Sequence, residues 1–284
     1  MLIKFENGRL GNQLFQYVAL RSFAPEERIY LVGMGALNLM FDGIEAKFIL
    51  PQTTKLRKRL TAKLFKLAVF FSKKIPLAST LEEVTSEECN KIHRKKNIFK
   101  NFSICIHGFF QNERLLDEKV LQKLCIKKEL TKKAQEFLDK RKLGQENTVF
   151  MHVRRGDYLS WPSSEAPAVL PLAWYIKQMD FLRDKLDNPK FILFTDDQKY
   201  VREHFSDLPD TFISQETEHI DFAIMSMCKH GIMSASSFSF WAATFAKREY
   251  KKGFFIAPLF WGGHKIAKWY PKHIKTNWID YKKV

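Results

Sequence analysis

Two adjacent arginines stand where an apolar segment of the chain ends abruptly. Residues 148–153 are apolar and partly β-branched, which predicts a buried strand, and Arg154 and Arg155 follow directly. In an open α/β sheet, polar groups just beyond the carboxyl end of a strand face a ligand rather than the core. Guanidinium groups carry a permanent charge on a planar fork that matches phosphate oxygens. The segment therefore predicts a diphosphate-binding site, and Gly156 would let a ligand approach the backbone closely.

Two other predicted strand ends carry polar side chains that complement these arginines. Asp196 and Asp197 come directly after the apolar run at residues 191–194 and Thr195, and a cluster of hydroxyl groups follows the short apolar segment at residues 231–233. The hydroxyl groups belong to Ser234, Ser236, Ser237 and Ser239. Hydroxyl and N–H groups at the start of a helix bind anions, and a carboxylate pairs with the N–H edge of guanine better than with adenine. The three strand ends together predict a site for a guanosine diphosphate.

Each of these groups also has an alternative interpretation. Two carboxylates after a strand can simply cap the next helix, and serines at a helix start usually do so. Adjacent carboxylates can also bind a divalent metal ion, but the arginines already supply the charge that Mg²⁺ would bring to a diphosphate, so we expect no metal. Asp157 and Glu165 are the candidates for a general base. Either can instead be structural, Asp157 by pairing with an arginine, and the base therefore stays unassigned.

The composition favours a folded enzyme with an anionic partner. The 284 residues are 45% hydrophobic and carry a formal net charge of +16, which suits nucleic acid, anionic lipid or a nucleotide-bearing substrate. The basic residues concentrate at 53–74 and 115–142 without the aromatic signatures of RNA-binding modules, so we expect no nucleic-acid partner. No paired spacing that would indicate a zinc site or a disulfide framework is found among Cys89, Cys105, Cys125 and Cys228.

A basic amphipathic segment spans residues 53–74. It contains eight lysines and arginines, and its apolar residues at helical spacing are Leu56, Leu60, Leu64, Leu67 and Phe71. Such a helix can lie on an anionic membrane surface; the alternative is an ordinary surface helix with this stripe on the core. The sequence has no apolar run long enough to span a bilayer and no signal-peptide pattern at its start. We therefore expect a cytoplasmic protein, with peripheral contact at the inner membrane face left open.

Strands and helices alternate along both halves of the sequence, which predicts the α/β class with two domains and a cleft between them. We place the domain boundary at the polar turn before the arginine-bearing strand, giving domains 1–146 and 147–284. In the first half the predicted strands are residues 2–5, 29–32 and 101–107, and the predicted helices are residues 14–22 and 115–142. A glycine-rich turn at residues 8–13 separates the first strand from the first helix.

Taken together, these motifs resemble the α-1,2-fucosyltransferase family of bacteria and animals. The matching segments occur in the family's order over nearly the whole chain and are residues 8–17, 108–114, 152–158, 195–197, 234–243, and Tyr270, Pro271 and Trp278. The chain departs from the family pattern at Ala235 and Phe240, where Asn and the first Trp of a pair are common. Several motifs in the right order are much more specific than any one of them.

The resemblance implies a GT-B fold, in which two Rossmann-like domains hold the active site in the cleft between them. Domain 1–146 would bind the acceptor and domain 147–284 the donor, GDP-β-L-fucose. The implied reaction inverts the anomeric carbon and uses the 2-hydroxyl of a terminal galactose on a glycan or glycolipid, with no cofactor or metal. Synthesis of a bacterial surface polysaccharide such as O-antigen is the implied setting. The alternative is another GDP-sugar-dependent transferase of the same fold.

The resemblance also implies roles for individual residues. Arg154 would contact the β-phosphate with support from Arg155, and His152 with one of Asp196 or Asp197 would lie near the base and ribose. Ser236 and Ser237 would bind phosphate, beside Ser234. The residues expected to face the reacting sugar from the N-terminal loop are Gly11, Asn12 and Gln13.

Overall fold

The computed structural model describes residues 1–51, 54–74, 78–85, 90–269 and 274–284. The chain divides into two compact units, Met1–Lys127 and Lys128–Val284. Each unit belongs to the α/β class, as the sequence predicts, and contains a sheet with parallel strand pairing. The division falls earlier than the predicted boundary at residues 146 and 147. The reason is that the helix Lys128–Lys140 packs against a helix of the second unit and therefore belongs to it.

The first unit is built on a mainly parallel sheet with strand order β4-β2-β1-β7-β5-β6, in which only the β5–β6 pair is antiparallel. Its helices and strands are β1 (Leu2–Phe5), α1 (Leu10–Phe23), β2 (Ile29–Val32), α2 (Gly35–Met40), β3 (Phe41–Asp42), β4 (Lys47–Ile49), α3 (Lys55–Lys74), β5 (Ala78–Thr85), β6 (Asn90–Lys95), β7 (Phe99–Cys105), α4 (Glu118–Lys123) and β8 (Cys125–Ile126). The predicted first two strands are confirmed, and the third lies two residues earlier than predicted.

Helix α1 begins four residues earlier than the sequence suggests. Gly8 makes the turn after β1 with φ +79°, a conformation that favours glycine. The N–H group of Gln13 then donates to the carbonyl of Arg9 at 3.0 Å, so the helix has already started at Leu10. Gly11, Asn12 and Gln13 are therefore in the first turn of a helix and not in a loop, which corrects that prediction.

The predicted long helix at residues 115–142 is two helices, α4 and α5. The carboxylate of Asp117 caps α4 by accepting from the N–H of Lys119 at 2.8 Å. Cys125 and Ile126 then pair as β8 with the antiparallel strand β3, and an extended segment cannot continue a helix. The capping residue and this short ladder account for the interruption.

In the second unit a fully parallel sheet has strand order β11-β10-β9-β12-β13-β14. Its elements are α5 (Lys128–Lys140), β9 (Thr148–Val153), α6 (Leu172–Arg183), β10 (Lys190–Thr195), α7 (Gln198–Phe205), β11 (Thr211–Ile213), α8 (Glu218–Met227), β12 (His230–Ile232), α9 (Ser237–Glu249), β13 (Phe255–Pro258) and β14 (Asp280–Lys282). Every residue of β9 is buried, as expected for a central parallel strand. Because β9 pairs with β10 and with β12, the carboxyl ends of these three strands are neighbours.

Helix α3 carries apolar residues on two faces. Phe65, Ala68 and Val69 pack against a core cluster of the first unit that includes Phe5 and Ile104. The four leucines of the predicted stripe lie on another face and are exposed, so the interpretation that they pack on the core is wrong; the side chain of Phe71 lies outside the described part of the structure. In the described part of the chain, no helix is both long and apolar enough to cross a membrane.

Three cysteines in the described residues, Cys105, Cys125 and Cys228, are free thiols, and Cys89 lies outside these residues. Of the C-terminal residues that resemble the family, Tyr270 and Pro271 also lie outside the described residues. Trp278 packs edge-on against Phe255 of β13, with ring centres 5.5 Å apart. It therefore contributes to the core of the second unit.

A buried carboxyl group in α8 should make the stability of the protein depend on pH. Burial raises the pKa of Asp221 to about 7, although the hydroxyl of Ser214 donates to it at 2.5 Å. The unfolded value is about 3.9, so the folded state binds the extra proton and stability falls as pH rises from about 4 to about 7. Asp221→Asn keeps the hydrogen-bond acceptor without the charge. We expect the melting temperature of the variant to exceed that of the wild type by a margin that widens over this pH range.

Thermal melts followed by circular dichroism between pH 4 and pH 8 measure this margin. Comparing the melting temperatures of the two proteins at each pH cancels the effect that all other titrating groups have on stability. A margin that stays the same at pH 5 and pH 8 would show that Asp221 titrates normally.

Candidate functional site

The three predicted strand ends meet at one edge of the sheet in the second unit. The backbone N–H of Arg154, after β9, donates to the hydroxyl oxygen of Ser234, after β12, at 3.1 Å. The backbone N–H of Arg155 donates to a carboxylate oxygen of Asp196, after β10, at 2.8 Å. Hydrogen bonds thus join the groups that follow all three strands, and the separately predicted residues form one site.

Arg154 is held between two carboxylates. Its Nη1 lies 2.8 Å from Oδ2 of Asp196, and its Nη2 forms an ion pair with Asp157 in the short 3₁₀ turn that follows. The side chain of Arg154 is 14% exposed, whereas that of Asp157 is 61% exposed. The guanidinium carbon also lies 5.5 Å from the centre of the Tyr158 ring. Asp157 is therefore the partner of Arg154 on the solvent side, and Asp196 is its partner on the protein side.

Arg155 points towards α7 instead. Its Nε lies 3.0 Å from Oδ2 of Asp197, and its guanidinium carbon lies 3.5 Å from the centre of the Tyr200 ring. Asp197 also caps α7, because Oδ1 accepts from the N–H of Tyr200 at 3.1 Å. That hydrogen bond, with a smaller contribution from Arg155, lowers the pKa of Asp197. Arg155 therefore fixes the start of α7, and Asp197 takes the capping role that the sequence left open.

The two carboxylates after β10 are thus both engaged by arginines, Asp196 with Arg154 and Asp197 with Arg155. Within the residues that the structure describes, no three His, Cys, Asp or Glu side chains are grouped so that they could hold a metal ion. The pair is arranged to orient guanidinium groups.

Gly156 lies against the carboxylate that binds both arginines. A Cβ atom at this position would lie 2.4 Å from Oδ2 of Asp196, closer than any real contact. That carboxylate is already fixed by the side chain of Arg154 and the backbone of Arg155. A side chain at this position would therefore displace the Asp196 carboxylate from its contacts with the two arginines.

The serines after β12 differ in their roles. The buried hydroxyl of Ser234 donates to the carbonyl of His152 at 2.6 Å and contacts the Tyr175 hydroxyl at 3.2 Å, so it ties β12 to β9. Ser236 caps α9 by accepting from the N–H of Phe238 at 3.3 Å. Ser237, the first residue of α9, is half-buried. Because α9 begins directly beyond β12, its N-terminal N–H groups lie at the same sheet edge and can bind an anion.

His152 is buried at the end of β9. Burial, with a smaller contribution from the nearby charge of Arg154, lowers its pKa to about 3, so the ring is neutral at physiological pH. One ring face packs against Phe238, with ring centres 5.6 Å apart. In the described residues its Nδ1 is a buried nitrogen without a hydrogen-bond partner. A buried polar atom of this kind calls for a partner, and a ligand at the adjacent strand ends would supply one.

In the first unit, the residues predicted to face the sugar stabilise the turn after β1. The buried amide of Gln13 donates to Glu6 at 3.1 Å and to the carbonyl of Gly8 at 3.2 Å, and it accepts from the N–H of Leu37 at 3.1 Å. Asn12 is half-buried and accepts from the side chain of Gln111 at 2.7 Å. Gln13 therefore has its polar atoms engaged within the protein, whereas the Asn12 amide nitrogen lies near Gly8 at the start of α1.

Two tyrosines at the candidate site, Tyr200 and Tyr175, are not among the residues predicted from the sequence. Tyr200 stacks on Arg155, and Tyr175 contributes a buried hydroxyl that donates to the carbonyl of His152 at 3.3 Å. Burial raises the pKa of the Tyr175 hydroxyl, which stays protonated as this donor role requires. Tyr200 sits three residues after Asp197, a spacing that a capping interpretation could have used. Tyr175 lies in the middle of α6 and no local signal marks it.

Solved structures show the same fold at low sequence identity. The structure of a glycosyl transferase of family 9 from Veillonella parvula DSM 2008 aligns over 100% of this chain and 85% of that chain, with TM-score 0.57 and 13% identity. NodZ, an alpha-1,6-fucosyltransferase co-crystallized with GDP, aligns over 85% of this chain and 91% of that chain, with TM-score 0.50 and 14% identity. The GT-B-like fold implied by the sequence motifs is therefore confirmed.

Sequence relatives are similar to the chain over most of its length. An alpha-1,2-colitosyltransferase of Escherichia coli is 31% identical over 269 residues, 89% of this chain and 90% of that protein. The O-antigen biosynthesis glycosyltransferase WbnK of Escherichia coli is 26% identical, over 84% and 87%. The human galactoside alpha-(1,2)-fucosyltransferase 1 is 28% identical, over 85% of this chain and 64% of that protein. The profile of Glycosyl transferase family 11 matches residues 4–282, and the chain belongs to this family.

Proposed function

We propose that the protein transfers L-fucose from GDP-β-L-fucose to the 2-hydroxyl of a terminal galactose, with inversion, and that it does so in building a bacterial O-antigen. Membership of family 11 and relatives named for alpha-1,2 transfer and for O-antigen biosynthesis support the reaction class. The observation that carries the proposal is the arginine pair held at three adjoining strand ends. We place the enzyme in the cytoplasm, where nucleotide sugars are made.

The proposed role of Arg154 follows from the charge that develops during transfer. When the bond between fucose and GDP breaks, the diphosphate leaves with additional negative charge. A fixed cation near the leaving oxygen is therefore worth more in the transition state than in the ground state. Arg154 is fixed from the protein side by Asp196, while its other partner, Asp157, lies towards solvent. A phosphate oxygen can replace the Asp157 carboxylate without disturbing the Asp196 contact.

The remaining donor contacts are proposed from their places at the same edge. The N-terminus of α9 with Ser236 and Ser237 would bind phosphate, and the unpartnered Nδ1 of the neutral His152 would hydrogen bond the nucleoside. Because both arginines bring positive charge to the diphosphate, we propose that transfer needs no metal ion. In the first unit we propose that Asn12 contacts the reacting sugar.

A second candidate donor is GDP-colitose, which lacks the 3-hydroxyl of fucose. It is favoured by the name of the Escherichia coli relative that is 31% identical to this chain. Both donors share the diphosphate and the guanine, so the contacts described above serve either of them. The choice depends on the pocket around the sugar.

Transfer assays with purified protein should separate these donors. We expect GDP-fucose to react with β-galactosides, and linkage analysis by NMR to place fucose on galactose O2 in the α configuration. GDP-colitose, GDP-mannose and UDP-galactose are the comparison donors, and EDTA should leave the rate unchanged. Preference for GDP-colitose would select the second candidate. If calorimetry detects no binding of GDP, the nucleotide site itself is wrongly assigned.

A further inference from the structure

Helix α3 exposes a continuous apolar stripe to solvent. Its residues recur every three or four positions and so lie on one face: Leu56, Leu60, Leu64, Leu67 and Phe70, which are between 37% and 78% exposed. The helix is nevertheless anchored, because Phe65, Ala68 and Val69 on its inner face pack against the core of the first unit. The ring centres of Phe65 and Phe5 are 5.4 Å apart. The stripe is therefore held outward by packing on the opposite side.

Helix α5 also has a solvent-exposed face, but it buries its apolar residues. Its apolar residues Leu130, Ala134, Phe137 and Leu138 are all buried, and its exposed face is polar. Helix α3 has the reverse arrangement on its outer face, where large apolar side chains remain in water. A fully exposed leucine forgoes about 1.5 to 3 kcal/mol of burial free energy relative to a core position, and these leucines forgo a part of that in proportion to their exposure. A contiguous exposed apolar patch of this kind is characteristic of an interaction surface.

The charge of α3 identifies the chemistry of that surface. Between Lys55 and Lys74 the sequence contains six lysines and two arginines but no acidic residue. By contrast, α5 carries four lysines with three acidic residues. The exposed Arg59 and Lys66 border the stripe along one edge, and the exposed Lys63 lies among its apolar residues. An apolar stripe bordered by cations matches the interface of a bilayer with anionic head groups.

We propose that the outer face of α3 binds the surface of an anionic lipid bilayer. The leucines enter the boundary between head groups and acyl chains, and the lysines and arginines contact anionic head groups. The helix lies parallel to the surface, since its inner face stays packed on the sheet.

A cavity beneath the inner face of α3 bears on the chemistry of the acceptor substrate. Thr61 and Phe65 line a cavity of about 260 Å³ at the carboxyl end of β1, together with Lys4, Glu6 and His107. A cavity with both polar and apolar lining, directly beneath a membrane-bound helix, suits a glycan that is itself carried on a lipid. This consequence for the acceptor rests on the proposed transfer reaction, whereas binding of the bilayer does not.

Co-sedimentation of the full chain with vesicles tests the binding. We expect the protein to sediment with an equal mixture of phosphatidylcholine and phosphatidylglycerol, and far less with phosphatidylcholine alone. Added salt should weaken binding, because the head-group attraction is screened. The double variant Leu60→Ser with Leu67→Ser should lower the affinity at least about tenfold. Lys63→Gln with Lys66→Gln should lower it about tenfold as well.

Matched control variants distinguish binding by the outer face of α3 from nonspecific hydrophobic or electrostatic binding to the vesicles. Leu39→Ser removes an exposed leucine of α2, and Lys132→Gln with Lys133→Gln removes two exposed lysines of α5. Neither control should change binding. Equal sedimentation of the α3 variants and the wild type, or none with either vesicle, would overturn the proposal. So would a change of oligomeric state in the leucine variant, measured by light scattering, because the stripe would then contact a second copy.

An activity measurement distinguishes failure of this proposal from failure of the proposed function. Transfer to a soluble galactoside should be the same for the wild type and the α3 leucine variant. Transfer to a galactose-terminated glycolipid in anionic vesicles should fall with the variant. Loss of glycolipid transfer without loss of vesicle binding would contradict the inference about the acceptor and leave the donor chemistry intact.

Discussion

Replacing Arg154 with alanine should lower kcat for sugar transfer by about 10²- to 10³-fold, the usual effect of removing one fixed group that stabilises transition-state charge. The fold should survive, because the hydrogen bond to Ser234 comes from the backbone N–H of residue 154 and not from its side chain. Arg154→Lys should recover only part of the rate, since an ammonium group cannot contact Asp196 and a phosphate with the same planar geometry. Initial rates with GDP-fucose and thermal melts of each variant provide the measurement.

Arg183 is the matched control for this substitution. It also contacts carboxylates, with Nε and Nη2 at 2.8 and 2.9 Å from the two oxygens of Asp210. However, it ends α6, on the approach to the amino end of β10, away from the proposed diphosphate site. Arg183→Ala should lower the melting temperature more than the transfer rate. Near-normal transfer by Arg154→Ala would remove the basis of the functional proposal. A loss of activity that is no larger than the fraction of unfolded protein would remove it as well.

Introducing a single methyl group with Gly156→Ala should weaken GDP binding by about 10- to 100-fold, the usual effect of losing one hydrogen bond to a charged group. The new Cβ atom cannot share space with Oδ2 of Asp196, which therefore has to move and release Arg154. Isothermal calorimetry with GDP measures the loss. Gly144→Ala is the control, because nothing lies within 4 Å of a Cβ atom at Gly144.

A double-variant comparison tests whether the clash acts through Asp196. Asp196→Ala should weaken GDP binding by itself, because Arg154 loses its inner partner. If the methyl group acts only by displacing that carboxylate, then Gly156→Ala combined with Asp196→Ala should bind GDP no more weakly than Asp196→Ala alone. Fully additive losses would mean that Gly156 is needed for another reason, such as direct approach of the ligand.

The convergence of the site could be predicted from sequence because it depends on local patterns and one topological rule. Short apolar runs identify β9, β10 and β12, and the polar residues after parallel strands share one sheet edge. The pairing within the site could not be predicted in the same way. Arg155 contacts Asp197 and Tyr200, whereas Arg154 contacts Asp196 and Asp157. This choice of partners depends on side-chain packing across three strands.

Other parts of the fold lack a local signal. The antiparallel pair β5 and β6 is rich in charged residues, so the alternation typical of a strand is weak, and neither strand is predicted. The early start of α1 depends on the positive φ of Gly8, which the sequence also permits as an ordinary loop. The outward position of the α3 stripe depends on which face meets the sheet, and amphipathicity alone does not show this when apolar residues occur on two faces.

The arrangement of acidic residues around the arginine pair has a consequence for the resting protein. Two guanidinium groups are matched there by three carboxylates, Asp157, Asp196 and Asp197. In the proposed mechanism, Asp157, the more exposed of the two partners of Arg154, would pair with it again as counter-ion when the nucleotide departs. Under the proposed function, such an internal competitor would weaken retention of the spent nucleotide and so favour its release before the next cycle.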